Sequence, residues 1–357
     1  MIELFKPFMP ELPELNKILY SGELAYGTYT KKFEEKLKEY FCTPYIIVTN
    51  SFNTAIFVAI TTLGLTFGDE IIASPMACLA STQPYLSIGM KIKWCDVDPK
   101  KGTLEPECLR KSITTRTKAI IHNHFCGYPG YINEINAIAL EYGIPVIDDG
   151  IECFGSEYKG KKIGNCGTDV TVFSLSAVRI PNTIEGGIVI FKDKKLFEKS
   201  LRIRDCGIDR RIFRDELGEI SPECDITEIG YSATMSNVNG YIGLQQMKKI
   251  DELLSRQRKN AAYLDDVLLK NKDIRSIKSK EHLPNYWVYG MFAENRKKKI
   301  NEFRNLGLYA SGIHTDNSAY SVFGDKRELE GTKEFCQHYL AIPSGWWVDY
   351  QKLKQKY

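Results

Sequence analysis

From about residue 30 onward, short runs rich in β-branched residues alternate with stretches whose apolar residues recur at three- and four-residue steps. That alternation restricts the chain to a sheet of mostly parallel strands covered by helices, an α/β architecture. The strand-like runs are Tyr45–Thr49, Glu70–Ser74, Lys91–Cys95, Lys118–His122, Pro145–Asp148, Asp169–Ser174 and Gly187–Phe191, seven in all. Helical periodicity fills the gaps, as in Thr54–Leu65 and in Tyr131–Tyr142, where Ile132, Ile135, Ile138 and Leu140 supply the apolar face. A long helical pattern runs from Asn237 to Leu269, and irregular strands and helices follow it. The expected division is a large domain over residues 1–250 and a smaller C-terminal α+β domain over 251–357, without internal repeats or low-complexity segments.

Composition narrows the function classes. The 357 residues carry 48 basic and 45 acidic side chains, a net charge of +3, so no strong field favours nucleic acid or an anionic membrane. The densest basic run, Lys297-Lys298-Lys299, reads as a solvated helix face. Ten cysteines from Cys42 to Cys336 form no C-x-x-C pair, which argues for reduced thiols in a cytoplasm over a zinc site or a disulfide framework. Met1 to Tyr20 lacks the basic-then-apolar order of a signal peptide, and no apolar run approaches the roughly 18 residues of a membrane span. The expectation is a cytoplasmic protein with neither nucleic acid nor membrane as partner.

Ligands of open α/β sheets collect at the carboxyl ends of strands, where loops and helix N-termini converge. Three stretches stand there. Thr49-Asn50-Ser51-Phe52-Asn53-Thr54-Ala55 is a polar turn ahead of a helix, either a phosphate site or an ordinary N-cap. Val146-Ile147-Asp148-Asp149-Gly150-Ile151-Glu152 puts carboxylates at the end of a buried apolar strand, where they either pair with a cation such as a protonated ring nitrogen or cap the following turn. Phe173 to Gly187 is a loop between two strands, in which Arg179 reads as a surface or ion-paired arginine. His122 and His124, two apart on one face of the pleat, suit packing or substrate contact better than a metal, since no nearby carboxylate or Cys pattern completes a ligand set; no metal is expected.

In order and spacing these segments resemble the DegT/StrS-type family of nucleotide-sugar aminotransferases and dehydratases, which are fold-type-I pyridoxal-phosphate (PLP) enzymes. The resemblance covers nearly the whole chain and rests on Asp96-Val97-Asp98-Pro99, Thr114 to Ile120, His124-Phe125-Cys126-Gly127-Tyr128-Pro129, Val146 to Asp149 with Phe154-Gly155, Glu157-Tyr158-Lys159-Gly160 and Glu185-Gly186-Gly187. It implies a three-layer large domain around a mainly parallel seven-stranded sheet, a homodimer with sites at the subunit interface, and a nucleotide-linked sugar substrate. Position by position it implies Asp149 at a pyridinium nitrogen, Glu152 where a Gln or His usually approaches the ring hydroxyl, and His124 among the catalytic residues. Ser51, Asn53, Thr54 and Ser174 fall on the phosphate cup. The segment Gly22–Gly27, with Gly22 and Tyr26, resembles a substrate loop, and His314 with Tyr320 and Phe323 resembles a sugar-side segment.

The departures carry more information. The family lysine stands eight residues ahead of the final glycine, and counting back from Gly187 reaches Arg179. Phe173-Ser174 on one side and Glu185-Gly186-Gly187 on the other fix that register. A guanidinium has no neutral amine to form an imine, so Arg179 holds no internal aldimine. Phe52 replaces a small residue of the phosphate cup, Cys78 replaces an aromatic ring that stacks on the cofactor, and Ser232 and Thr234 replace an Asn and a basic residue. The resemblance therefore implies PLP or pyridoxamine phosphate (PMP) held without a covalent bond, if bound at all, with dehydratase-like or other sugar chemistry. The alternatives are a non-catalytic sugar-binding protein, a partner subunit for a lysine-bearing paralogue in a heterodimer, and an ordinary transaminase.

Overall fold

The computed structural model describes residues 1–324 and 327–350; residues 351–357 of the expected small domain lie outside the described residues. Its main sheet contains seven strands: β1 Ile46–Thr49, β2 Glu70–Ala73, β3 Lys91–Trp94, β4 Thr117–Asn123, β5 Val146–Asp149, β6 Val170–Ser174 and β7 Gly187–Phe191. Each lies within two residues of the run expected from sequence. In space they follow the order β1-β7-β6-β5-β4-β2-β3. All run parallel except β7, which is antiparallel to both of its neighbours.

Both faces of this sheet are covered, which is why its strands read as apolar runs rather than as polar–apolar alternation. Ile47, Ile71, Ala119, Ile121 and Val172 pack on one side with Phe52, Ile56 and Ile60 of the helix Phe52–Thr62. Ile46, Val48, Phe173 and Ile188 pack on the other with Phe33, Leu37 and Phe41 of the helix Thr28–Phe41, and Ile72, Ile120 and Val146 with the helix Ile132–Tyr142. The result is a three-layer α/β unit.

Two helical expectations change. On Ile132–Tyr142, Ile132, Ile135 and Ile138 are buried, but Leu140 is 82% exposed. At about 100° per residue Leu140 falls outside the arc those isoleucines share. The pattern over Asn237–Leu269 is two helices, Asn237–Met247 and Ile250–Leu268. Between them the N–H of Lys248 turns back to Gln245 and that of Lys249 to Gln246, three-residue bonds that tighten the chain and redirect it.

Strands Ile274–Ser276, Tyr289–Ala293 and Tyr339–Ile342 form a separate antiparallel sheet. Its core includes Val288, Met291, Phe335 and Leu340, and reaches Met76, Val97 and Phe125 from loops beside the main sheet. Lys297, Lys298 and Lys299 lie on the helix Arg296–Asn305, where Lys298 and Lys299 pair with Glu302. All ten cysteines carry free thiols, and no described helix is long and apolar enough to cross a membrane.

Candidate functional site

Because β1, β2, β4, β5 and β6 share a direction, Thr49, Ser74, Asn123, Asp149 and Ser174 reach one edge of the sheet, and β7 begins there at Gly187. Gly187 has to be glycine: a Cβ would meet the Ser51 carbonyl at 2.7 Å and the Ala55 Cβ at 2.8 Å, so the helix start could not settle on the strand. Ser51, Asp149 and Ser174 come together at this edge because parallel strands end together.

Asp149 ends β5 and is 2% exposed. Its Oδ1 accepts the Ile151 N–H at 3.0 Å, and no lysine or arginine pairs with it among the described residues. Burial pushes its carboxyl up to about 6. A protonated ring nitrogen is the kind of partner such a carboxylate lacks, so this part of the site fits a pyridine cofactor.

Glu152, three residues on, is differently placed. Its Oε1 meets His314 Nε2 at 2.7 Å and Arg179 Nη1 at 3.4 Å, while its Oε2 accepts the Cys126 N–H at 2.8 Å. Burial alone would raise this carboxyl, but His314, Arg179 and the Cys126 N–H outweigh it and hold the group below its ordinary value. Arg179 itself is 6% exposed. Its guanidinium lies 4.4 Å from the centre of the Trp287 ring, whose indole N–H donates to the Val178 carbonyl at 3.1 Å, and Phe5 also stacks on that indole at 4.3 Å. The arginine is thus an ion-paired, stacked, buried cation; an imine at this position is excluded by its chemistry.

The phosphate-cup candidates are drawn into one another. Ser51 caps the helix Phe52–Thr62: its Oγ accepts the Thr54 N–H at 3.1 Å, while Thr54 Oγ1 accepts the Ser51 N–H at 3.2 Å, a closed capping box. Ser174 Oγ accepts the Ser176 N–H at 3.2 Å. Asn53 is exposed, and Phe52 turns its ring into the core. Ser232 is exposed, and its carbonyl accepts from the Asn50 amide at 3.0 Å.

A cavity of about 490 Å³ opens beside these groups, lined by Cys78, Arg296, His314, Asn317 and Tyr320 among others. Burial raises the Cys78 thiol, with Glu152 adding to the effect. Phe323 packs edge-on against Trp94 instead, at 5.2 Å. Gly22 and Tyr26 stand apart. Gly22 is exposed with nothing within 4 Å of a Cβ built on it. Tyr26 donates to Glu34 Oε2 at 2.5 Å under the Arg204 guanidinium and faces a second cavity of about 740 Å³. Among the described residues, Tyr26 faces this second cavity and not the one beside Asp149.

One sequence inference is overturned. His122 and His124 do have a carboxylate beside them: His122 Nδ1 is 2.9 Å and His124 Nε2 3.6 Å from Asp148 Oδ1, and all three residues are buried. Parallel pairing of β4 with β5 sets His122 opposite Asp148, a register that linear spacing does not reveal. Asp148 Oδ2 also accepts from Thr168 at 2.6 Å, and His124 Nδ1 accepts the Gly130 N–H at 3.1 Å. His124 therefore belongs to this enclosed network rather than to the cavity wall. Trp287 and the Cys126 N–H were not among the sequence candidates. Cys126 carried one signal, its place inside a family-like motif, whereas nothing in the sequence ties Trp287 to Arg179.

A family model described as the DegT/DnrJ/EryC1/StrS aminotransferase family matches residues 9–352. The chain is 32% identical over 349 residues to the UDP-4-amino-4,6-dideoxy-N-acetyl-beta-L-altrosamine transaminase of Campylobacter jejuni, covering 93% of this chain and 89% of that protein. It is 30% identical over 330 residues to the GDP-perosamine synthase of Escherichia coli O157:H7, covering 90% and 83%. The crystal structure of the sugar aminotransferase CalS13 from Micromonospora echinospora superposes with a TM-score of 0.92 at 26% identity, over 100% of this chain and 98% of that one.

Proposed function

This chain belongs to the DegT/DnrJ/EryC1/StrS aminotransferase family, and from that premise we propose that it acts on a nucleotide-linked sugar while holding PLP or PMP without a covalent bond. The observation that carries the reading is Asp149, a buried carboxylate raised by its surroundings and without a lysine or arginine partner among the described residues, at the strand end where a pyridinium nitrogen would satisfy it. Ser174 and the N-terminus of the helix Phe52–Thr62 would hold the phosphate, with Cys78 beside the ring. The cofactor supplies an electron sink for charge developing at a neighbouring sugar carbon. Arg179 contributes fixed positive charge paired to Glu152, and takes no part as an amine or a base. Dehydratase-like sugar chemistry suits such a site better than a transamination cycle. A cytoplasmic homodimer serving surface-polysaccharide or antibiotic-sugar biosynthesis, with its small domain beginning near residue 251, completes the proposal.

Absorbance titration with PMP and with PLP, followed by borohydride reduction and peptide mass mapping, tests it. Saturable uptake with no pyridoxyl-labelled lysine is expected. No uptake of either form would sink the reading.

A second reading, a non-catalytic partner of a lysine-bearing paralogue, is favoured by one observation: Ser51 and Thr54 spend their hydroxyls on each other instead of facing a ligand. Turnover of a keto-sugar with an amino donor by this protein alone would remove it.

A further inference from the structure

We infer that the imidazole of His314 is the catalytic acid–base group of this site, presented to the 490 Å³ cavity through Nδ1 and held by the buried Glu152 carboxylate through Nε2. The inference rests on the nucleotide-sugar reading above, but not on the cofactor.

The geometry fixes the tautomer. Glu152 is 4% exposed, and its two oxygens already take the Cys126 N–H at 2.8 Å and approach Arg179 at 3.4 Å, an environment that keeps it an anion able only to accept. The 2.7 Å contact to His314 Nε2 therefore carries its proton on the imidazole, which leaves the lone pair on Nδ1. Nδ1 makes no hydrogen bond among the described residues, and His314 is the imidazole on the cavity wall. Phe125, edge-on at 5.8 Å, helps to fix the ring plane. A carboxylate behind an imidazole both orients the ring and stabilises the imidazolium when it forms.

The other candidates fail on chemistry or place. Arg179 carries a guanidinium, which is not a general acid–base group. His124 is enclosed with Asp148 and His122. Arg296, a guanidinium on the cavity wall, has the same limitation as Arg179.

The step assigned to His314 is proton removal next to a sugar carbonyl. The C–H bond breaks, its electron pair becomes the C=C bond of an enolate with charge on the carbonyl oxygen, and the proton goes to Nδ1. Return of that proton to carbon restores the neutral ring, so no oxidant or reductant is consumed. Glu152 is the positioning residue.

The test uses the protein without added cofactor in D2O, with UDP- and GDP-linked 4-keto sugars as probes, reading binding by equilibrium dialysis and deuterium at the carbon next to the carbonyl by mass spectrometry. The wild type should bind at least one probe and exchange its proton well above the protein-free rate. At saturating probe, with occupancy read by the dialysis, His314→Asn should lose exchange by about 100-fold or more. Glu152→Gln should lose at least about 10-fold, since an amide no longer selects the tautomer. Imidazole added to His314→Gly should restore exchange, which a merely structural role for His314 would not allow. Binding with no exchange by the wild type, or exchange by His314→Asn at the wild-type rate, overturns the inference alone. Failure to bind either probe overturns the nucleotide-sugar reading and the inference with it.

Discussion

Arg179 Nη1 stands 3.4 Å from Glu152 Oε1, and neither side chain is more than 7% exposed. The two positions are 27 residues apart and meet only because β5 and the loop after β6 end at the same edge of the sheet. A buried guanidinium needs a buried anion. Arg179 and Glu152 are therefore one electrostatic arrangement, not two independent charges.

Arg179→Lys alone is expected not to regain an internal aldimine. Glu152 would hold the new ammonium in its charged form, and an ammonium is not a nucleophile. Arg179→Lys with Glu152→Gln should form the imine. Long-wavelength absorbance with PLP and a borohydride-trapped pyridoxyl peptide distinguish the two variants; an imine in the single variant would show that Glu152 exerts no such control.

Glu152→Ala should destabilise the fold by about 3 kcal/mol, because it leaves Arg179 buried without its partner. Arg179→Met combined with Glu152→Gln should cost clearly less than the sum of the single changes, since neither charge is then stranded. Urea unfolding of the wild type, both single variants and the double variant measures the coupling. Additive losses would mean that the pair does not interact.

Asp149 imposes a pH dependence of definite sign. With its carboxyl raised to about 6, the folded protein holds a proton that the unfolded chain, with an ordinary carboxyl near about 4, has released. Stability contributed by this group is therefore fully present below about pH 4 and lost as pH rises through about 6. Asp149→Asn should be more stable than the wild type at pH 8, by up to about 3 kcal/mol, with the gap closing toward pH 4. The same variant should lose PMP uptake. Chemical denaturation across pH 4 to 8 reads the first effect and absorbance titration the second; a gap independent of pH would contradict the assignment.

Ser51→Ala should cost about 1 kcal/mol by opening the capping box at the start of Phe52–Thr62. The loss is measured by thermal or urea unfolding of the unliganded protein. No change in stability would mean that the Ser51 hydroxyl does not serve the helix.

Sequence alone determined the seven strands of the main sheet, their approximate limits and the edge at which Asp149, Ser174 and Ser51 lie. It could do so because apolar runs and helical periodicity are local, and because parallel strands must end together. It also raised the expectation that Arg179 stands at the family's lysine position, because residues on both sides fix the count. What surrounds that arginine was decided only by tertiary structure. Trp287 and His314 come from distant segments of the chain, and His122 finds Asp148 only through the register of two neighbouring strands. Local pattern fixes which backbone segments form and in which direction they run. The partners of a buried charge depend on which segments pack together, and those contacts have no linear signature.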